Sequence, residues 1–277
     1  MNIRTDLITE IKSEKASNIS GVEVLEVKEK DVIISTVKIT NNDAAKILGK
    51  PIGTYCTLFF PRLDFVCDTE TVIKSTVNAL RGIINANINH TLVVGLGNTD
   101  ITPDALGPIV ADRVLATRHL CNELKHNLGL DDLKSVSTIT PNVLGKTGIE
   151  SYDLISATSQ KIKPDIIIAV DALACRDPER LCRTIQISNT GIVAGSGVNN
   201  ARKPLNLDTL GIPVIAVGVP TVIDANSFFK GQEISENMMV TPKEIDLLVE
   251  KAADIISRAI NIFLQPEIDV SIIESLT

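Results

Sequence analysis

The alternation of apolar and polar residues predicts that strands and helices follow one another along most of the chain. Short apolar, β-branched runs at 91–94, 166–170 and 212–219 are typical of buried strands. Apolar residues recur at helical spacing over 69–88 and over 106–120, which predicts amphipathic helices that pack on a sheet. This order favours an α/β fold with a largely parallel sheet.

The early part of the chain has a different pattern, which predicts a β-rich portion at about 22–60. Two partly alternating runs, VEVLEV and VIISTVKI, are separated by the charged residues 28–31 and predict a β-hairpin. A short helix that ends at Gly49 and a third strand over 53–60 follow the hairpin. No internal repeat or linker divides the sequence, so we expect a single domain over 1–277.

Composition narrows the possible functions. The 277 residues carry a net charge of −7 and include no Trp, two Tyr and six Phe, so neither a basic surface nor aromatic platforms for nucleic acid are expected. The amino terminus lacks the apolar centre of a signal peptide, and the longest apolar stretches are interrupted by Asp or Pro, which predicts a cytosolic protein with no membrane contact. The five cysteines form no CxxC pair and are expected to be buried small apolar residues.

Two aspartates at the ends of predicted strands are the candidate catalytic residues. In the stretch TLVVGLGNTDITPDALGP, a strand and a glycine-bearing loop lead to Asp104, and the strand over 166–170 runs directly into Asp171. Ligands and chemistry collect outside the carboxyl ends of strands in open α/β sheets. Hydrolysis of an amide needs a base to activate water and an acid to donate a proton, and two nearby carboxylates supply both. In the alternative interpretation, Asp104 and Asp171 only cap the helices that follow them.

Other catalytic motifs are incomplete. Gly95 and Gly97 resemble the start of a dinucleotide fingerprint, but Asp100 occupies the place of the third glycine. Ser196 lies between two glycines without the outer glycines that a nucleophile elbow requires. The three histidines form no HExxH pattern, so the sequence predicts neither a metal site nor a cofactor.

Several long blocks, in the same order along the chain, closely resemble the germination protease family of spore-forming bacteria. They are TLVVGLGN, TPDALGP, PDIIIAVDALACR, RTIQISNTGI, LGIPVIAVGVPTVIDA and MMVTPKEID. The resemblance implies an endopeptidase that degrades small acid-soluble spore proteins during germination, in the cytoplasm of the forespore and the spore core. It also implies a homotetramer and a three-layer α/β/α sandwich similar to that of the hydrogenase-maturation peptidases.

The family's proposed catalytic aspartates correspond to Asp104 and Asp171. One carboxylate would be ionised to activate water and the other protonated to donate, with the order unresolved. If Asp104 lies in the first turn of its helix, the helix dipole favours its charged form and makes it the base.

Family members are made as zymogens that cleave themselves, and the sequence TDLITE at 5–10 resembles the processing site. The implied scissile bond joins Asp6 to Leu7, so residues 1–6 would form a propeptide shorter than is usual in the family. Val193 stands where the family commonly has a histidine. The alternatives are an inactive spore homologue that binds these proteins without cleaving them, and a metal-dependent maturation peptidase.

Overall fold

The computed structural model describes residues 5–11, 19–61, 68–84, 88–120, 122–127, 130–193, 203–228 and 238–268. The helices in these residues are α1 (Ile8–Ile11), α2 (Asn42–Leu48), α3 (Thr69–Ile83), α4 (Leu106–Asp112), α5 (Asn122–Asn127), α6 (Leu144–Thr147), α7 (Ser151–Ile162), α8 (Leu207–Leu210) and α9 (Ile245–Leu264). The strands are β1 (Val22–Glu29), β2 (Val32–Ile39), β3 (Gly53–Phe59), β4 (His90–Gly95), β5 (Ser135–Ile139), β6 (Ile166–Cys175), β7 (Thr184–Ser188), β8 (Val214–Asp224) and β9 (Met239–Val240).

All of these strands belong to one mixed sheet in the order β1-β2-β3-β7-β8-β6-β4-β5, with β9 added beside β8. The α/β class and the β1–β2 hairpin are confirmed. The expectation of a largely parallel sheet is wrong, because only β5, β4, β6 and β8 pair in parallel. The early β-rich portion joins the same sheet through antiparallel pairing of β3 with β7, which in turn pairs antiparallel with β8.

Helices cover both faces of the sheet, which confirms the predicted three-layer arrangement. On one face, α3, α4 and α9 enclose the largest apolar core, which includes Ile168 and Val170 of β6. On the other face, Ile155 of α7 packs with Ile167 and Ala169 of the same strand. The strand therefore alternates its side chains between two cores, as the period of two requires.

The strand β6 is longer than the sequence pattern predicts and extends beyond its neighbour β4. The predicted strand ends at Val170, whereas the pairing of β6 with β8 continues to Cys175, with a register shift after Leu173. Pairing of β6 with β4 stops where Gly95 meets Val170. Past this point, one edge of β6 faces no strand in the part of the chain that the structure describes.

Tertiary contacts account for two further differences from the predicted elements. The helix predicted over 106–120 ends at Asp112, because the Asn261 amide of α9 accepts from the Leu115 N–H (2.9 Å) and donates to the Arg113 carbonyl (3.0 Å). The sequence pattern treats 128–138 as a polar connection, but Ser135–Ile139 pairs in parallel with β4 as β5. Only one residue of that strand, Val136, is fully buried, which explains its weak apolar signal.

The predicted capping box at the start of the last helix is wrong. The sequence predicts Thr241 as the N-cap, with Pro242 at the first helical position and Glu244 completing the box. Instead α9 begins at Ile245, and Glu244 precedes it without a side-chain cap bond. The Thr241 hydroxyl donates to the Thr221 carbonyl at 2.9 Å and so ties this turn to β8.

Within the described part of the chain, Cys56, Cys175 and Cys182 are buried, as predicted. Cys67 and Cys121 lie outside the described residues. Among the helices that the structure describes, none combines the length and the apolar character that a membrane span requires.

We expect Gly107→Ala to lower the free energy of unfolding by about 1–3 kcal/mol, because a methyl group there would overpack the junction of α4 with the sheet. An added Cβ would lie less than 3.0 Å from the carbonyl oxygens of Leu96 and Val170. The matched control is Gly82→Ala in α3, where nothing lies within 4 Å of an added Cβ. Because Gly is unfavourable inside a helix, Gly82→Ala should raise the free energy of unfolding by about 0.5–1 kcal/mol. Chemical denaturation measures both, and equal values for the two variants would contradict the close packing of Gly107.

Candidate active site

The free edge of β6 is the feature around which the candidate site is built. Alternate residues of the strand point their main-chain groups toward this edge. The Val170 carbonyl accepts from the Leu96 N–H at 2.8 Å, and the Ala172 N–H donates to the Asp171 carboxylate at 2.9 Å. Ala174, further along the same edge, needs a partner from another part of the chain because buried main-chain groups are rarely left unpaired.

Residues 5–11, here called the N-terminal segment, supply that partner. The Asp6 N–H donates to the Ala174 carbonyl at 2.9 Å, and the Ala174 N–H donates to the Asp6 carboxylate at 2.8 Å. Farther along, the Glu10 carboxylate accepts from the main-chain N–H groups of Arg176 (2.8 Å) and Asp177 (2.9 Å). The segment thus lies along the edge of β6 in the manner of an added peptide.

Leu7 is the apolar anchor of the N-terminal segment. Its side chain is 0% exposed and packs in a small cluster with Leu173, Cys175 and Ile223. Burial raises the pKa of the Cys175 thiol, so this thiol stays neutral and acts as part of an apolar wall. The cluster is therefore an apolar pocket that accepts the residue following Asp6.

The carbonyl oxygen of Asp6 receives hydrogen bonds from two side chains. Lys50 Nζ donates to it at 2.9 Å, and Gln186 Nε2 donates to it at 3.1 Å. The Oε1 atom of Gln186 also accepts from the Ile8 N–H at 2.8 Å, so one amide side chain spans both sides of Leu7. Lys50 follows the left-handed Gly49 that ends α2, and Gln186 lies in β7.

A cavity of about 260 Å³ opens beside this segment, and Asp171 is one of the residues that line it. We call it the Asp171 cavity. Its lining also includes Asp6, Lys50, Gln186 and Val193. Two of the predicted site residues, Asp6 and Asp171, are thus brought together from opposite parts of the sequence. Val193 also lies at this site, and no histidine is found among the described lining residues.

Asp171 lies inside β6 and not after its end. It is 5% exposed, pairs with Gly218 of β8, and its carboxylate accepts from the next residue's N–H. The prediction that it follows the strand is therefore wrong, and so is the alternative that it caps a helix. The next helical turn, Pro178–Arg180, is capped by Asp177.

Asp104 occupies the neighbouring loop between β4 and α4. It is half-buried and ends a 3₁₀ turn, Thr102–Asp104, that packs on β6 and β8. Its carbonyl accepts from the Asn98 N–H at 3.0 Å, and the Pro103 carbonyl accepts from the Thr221 hydroxyl at 2.7 Å. Asp104 is not among the residues that line the Asp171 cavity.

Asp104 packs closely against Gly97 of the same loop. Its carboxyl carbon lies 3.3 Å from where a Cβ of Gly97 would be, so the left-handed Gly97 leaves room for this side chain. Gly97 follows Leu96, which bonds to Val170, the residue before Asp171.

The helix-dipole argument for the charge of Asp104 does not apply. It requires Asp104 to lie in the first turn of its helix, but α4 begins two residues after Asp104.

Sequence reasoning did not identify Lys50 or Gln186 as site residues. Lys50 is a single charged residue after a helix stop, and Gln186 is a polar residue in a strand, so neither carries a local signal. No group of three or more His, Cys, Asp or Glu side chains that could hold a metal ion occurs among the residues that the structure describes.

Comparisons with known proteins point to one family. A family model described as germination protease matches residues 3–231. A germination protease of Caldanaerobacter subterraneus is 40% identical over 96% of this chain and 95% of its own. One of Clostridium tetani is 40% identical over 99% of each chain, and one of Priestia megaterium is 36% identical over 97% and 95%. A solved [NiFe] hydrogenase maturation protease, HycI of Thermococcus kodakarensis, aligns with a TM-score of 0.38 and 17% identity, covering 65% of this chain and 97% of its own.

We expect Leu7→Ala to loosen the N-terminal segment from β6. Truncating a fully buried Leu costs about 2–5 kcal/mol, and 1.4 kcal/mol corresponds to tenfold, so amide hydrogen exchange over residues 5–11 should accelerate about 25-fold or more. The exchange is measured by mass spectrometry on protein whose intact mass shows that the segment is still attached. Ile47→Ala is the matched control, because Ile47 of α2 is 65% exposed. Equal exchange in both variants would mean that the Leu7 pocket does not hold the segment.

Proposed function

Because the chain belongs to the germination protease family and is a peptidase, we propose that it is an aspartate-dependent endopeptidase that cleaves small acid-soluble spore proteins during germination. The single observation that supports this proposal most directly is the docked Asp6–Leu7 peptide. Its carbonyl is held by two donors at the rim of a cavity that Asp171 also lines. A substrate peptide bound in the same way would present its carbonyl group to two hydrogen-bond donors in the cavity that Asp171 lines.

Asp171 and Asp104 are the catalytic pair in this proposal. One carboxylate takes a proton from water, the water oxygen bonds to the carbonyl carbon, and the other carboxyl group gives its proton to the departing nitrogen. Which of the two begins as the base is left open, because the helix-dipole argument does not apply to Asp104. The Asp171 cavity, at about 260 Å³, is large enough to admit the attacking water.

Substrate preference follows from what the N-terminal segment contacts. An acidic residue in the place of Asp6 would bond to Ala174 through main chain and carboxylate, and an apolar residue in the place of Leu7 would fill the pocket of Leu173, Cys175 and Ile223. The adjoining free edge of β6 would bind the rest of an extended chain. The preferred substrate sequence is therefore an acidic residue followed by an apolar one, and cleavage occurs between them.

The same contacts support self-processing at the bond between Asp6 and Leu7. The segment that occupies the cleft belongs to the chain itself, so it blocks other substrates until it is cut and released. Cleavage would remove residues 1–6 and convert the zymogen into the active enzyme. The proposed substrates place the reaction in the spore core.

We expect Asp171→Asn and Asp104→Asn each to lower the cleavage rate at least about 100-fold, because each removes one proton-transfer group. The full-length protein is incubated with a small acid-soluble spore protein at near-neutral and mildly acidic pH, and both chains are followed by intact mass. The wild type should cut the substrate after acidic residues and lose its first six residues. Asp112→Asn is the matched control, because Asp112 is an exposed aspartate at the end of α4.

Wild-type activity in either Asn variant would remove that residue from the catalytic pair. Cleavage of neither chain by the wild type would overturn the proposal in favour of a homologue that binds spore proteins without cutting them.

The assembly that the family resemblance implies is a homotetramer. Light scattering of the purified protein should then give a mass four times that of the 29.8 kDa chain. A mass of one or two chains at micromolar concentration would contradict this proposal without affecting the catalytic assignment.

A further inference from the structure

We infer that Lys50 and Gln186 form the oxyanion-stabilising pair of this peptidase, binding the scissile carbonyl oxygen as negative charge develops on it. The inference rests on the proposed function, since it takes the Asp6–Leu7 peptide as the model of a bound substrate. It assigns a catalytic contribution to two residues that neither the sequence motifs nor the aspartate chemistry identifies.

The geometry at the Asp6 carbonyl carries the inference. An extended chain beside a strand normally gives alternate carbonyls to main-chain N–H groups of that strand. Here the oxygen instead receives a primary ammonium at 2.9 Å and a side-chain amide at 3.1 Å, from two separate elements. In oxyanion-binding sites the donors lie 2.7–3.1 Å from the position that the oxyanion takes, so donors at 2.9 and 3.1 Å from the carbonyl oxygen are within reach of that position.

Both donors are held by rigid parts of the fold. Gln186 lies in the middle of β7, where it pairs with Thr57 on one side and Gly218 on the other. Its Oε1 is fixed by the Ile8 N–H, so its Nε2 must point toward the Asp6 carbonyl. Lys50 is anchored by its own N–H, which donates to the Ala45 carbonyl at 3.2 Å in the C-terminal turn after α2. Donors that are fixed before the reaction need no reorganisation when charge appears.

The local electrostatics favour the transition state over the substrate. A neutral carbonyl gains little from a nearby ammonium, whereas a full negative charge gains much more, especially where both partners are half-buried. Lys50 and Gln186 are both half-buried and line the Asp171 cavity. The pair therefore contributes most at the moment when the tetrahedral oxygen carries its charge.

This assignment also gives each group of the site a separate role in the reaction. As water adds, its proton goes to the ionised aspartate, the carbonyl electron pair moves to the oxygen, and Lys50 and Gln186 bind that charge. The C–O double bond re-forms as the carbon–nitrogen bond to Leu7 breaks, and the proton of the second aspartate goes to the departing nitrogen. The protonated aspartate is then not needed at the carbonyl oxygen.

The test compares self-cleavage with docking in the full-length chain. Intact mass gives the first-order rate of cleavage between Asp6 and Leu7, and hydrogen exchange over residues 5–11 gives the docking equilibrium.

Lys50→Met removes the ammonium group. Gln186→Glu keeps an oxygen for the Ile8 N–H but has no hydrogen to donate at near-neutral pH. We expect each change to slow cleavage about 10²–10³-fold, as loss of one oxyanion donor does elsewhere. Hydrogen exchange over residues 5–11 should accelerate by a distinctly smaller factor, because the contacts of Asp6, Leu7 and Glu10 with β6 still hold the segment. Lys50→Arg should recover part of the rate, and Lys46→Met, at an exposed position of α2, should match the wild type.

The outcomes separate this inference from the proposed function. Wild-type cleavage rates in both Lys50→Met and Gln186→Glu would overturn the inference, while loss of cleavage in Asp171→Asn would still support the aspartate mechanism. A slower rate that parallels faster exchange would assign Lys50 and Gln186 to docking alone and would also overturn it. Cleavage of neither chain by the wild type would overturn the inference together with the proposed function.

Discussion

The free edge of β6 beyond Val170 is the constraint on which the candidate site depends. A central strand of an α/β sheet usually has partners on both sides, but β4 stops at Gly95 while β6 continues to Cys175. Main-chain groups of that extension need hydrogen bonds, and a side chain of the strand itself and the N-terminal segment provide them. A sheet edge inside the protein is thus a peptide-binding surface, because an extended chain satisfies it best.

Burial of Asp171 on that extension is energetically unfavourable, but it fixes the carboxylate beside the cavity. Taking a carboxylate out of water is unfavourable unless hydrogen bonds replace the lost hydration. The Ala172 N–H supplies one such bond, and the buried strand prevents the side chain from moving away. The result is a fixed carboxylate beside a cavity, next to the place where the edge binds a peptide. The loop that carries Asp104 closes the other end of this edge through the bond from Leu96 to Val170.

In the proposed function, the contacts of the N-terminal segment would determine both substrate specificity and regulation. Because it is part of the chain, its local concentration at the cleft is high and it needs little intrinsic affinity to stay bound. The contacts that recognise an acidic and then an apolar residue in a substrate would therefore also hold the segment in place. If the chain is processed as proposed, the single covalent bond between Asp6 and Leu7 keeps the peptidase inactive until it is cut.

The sequence by itself determined the local elements and the family. Alternation predicted the hairpin of β1 and β2, helical spacing predicted α3, and the positions after predicted strands selected Asp104 and Asp171, because these signals depend on neighbours in the chain. The order of the long motif blocks indicated the family. Tertiary structure alone decided how far β6 extends, where α4 ends and which residues meet Asp6. The Ala174 N–H bonds to an Asp6 carboxylate 168 positions away, and Asn261 ends a helix from 146 positions away. Such contacts leave no periodicity in the sequence, because each arises only when distant segments pack together.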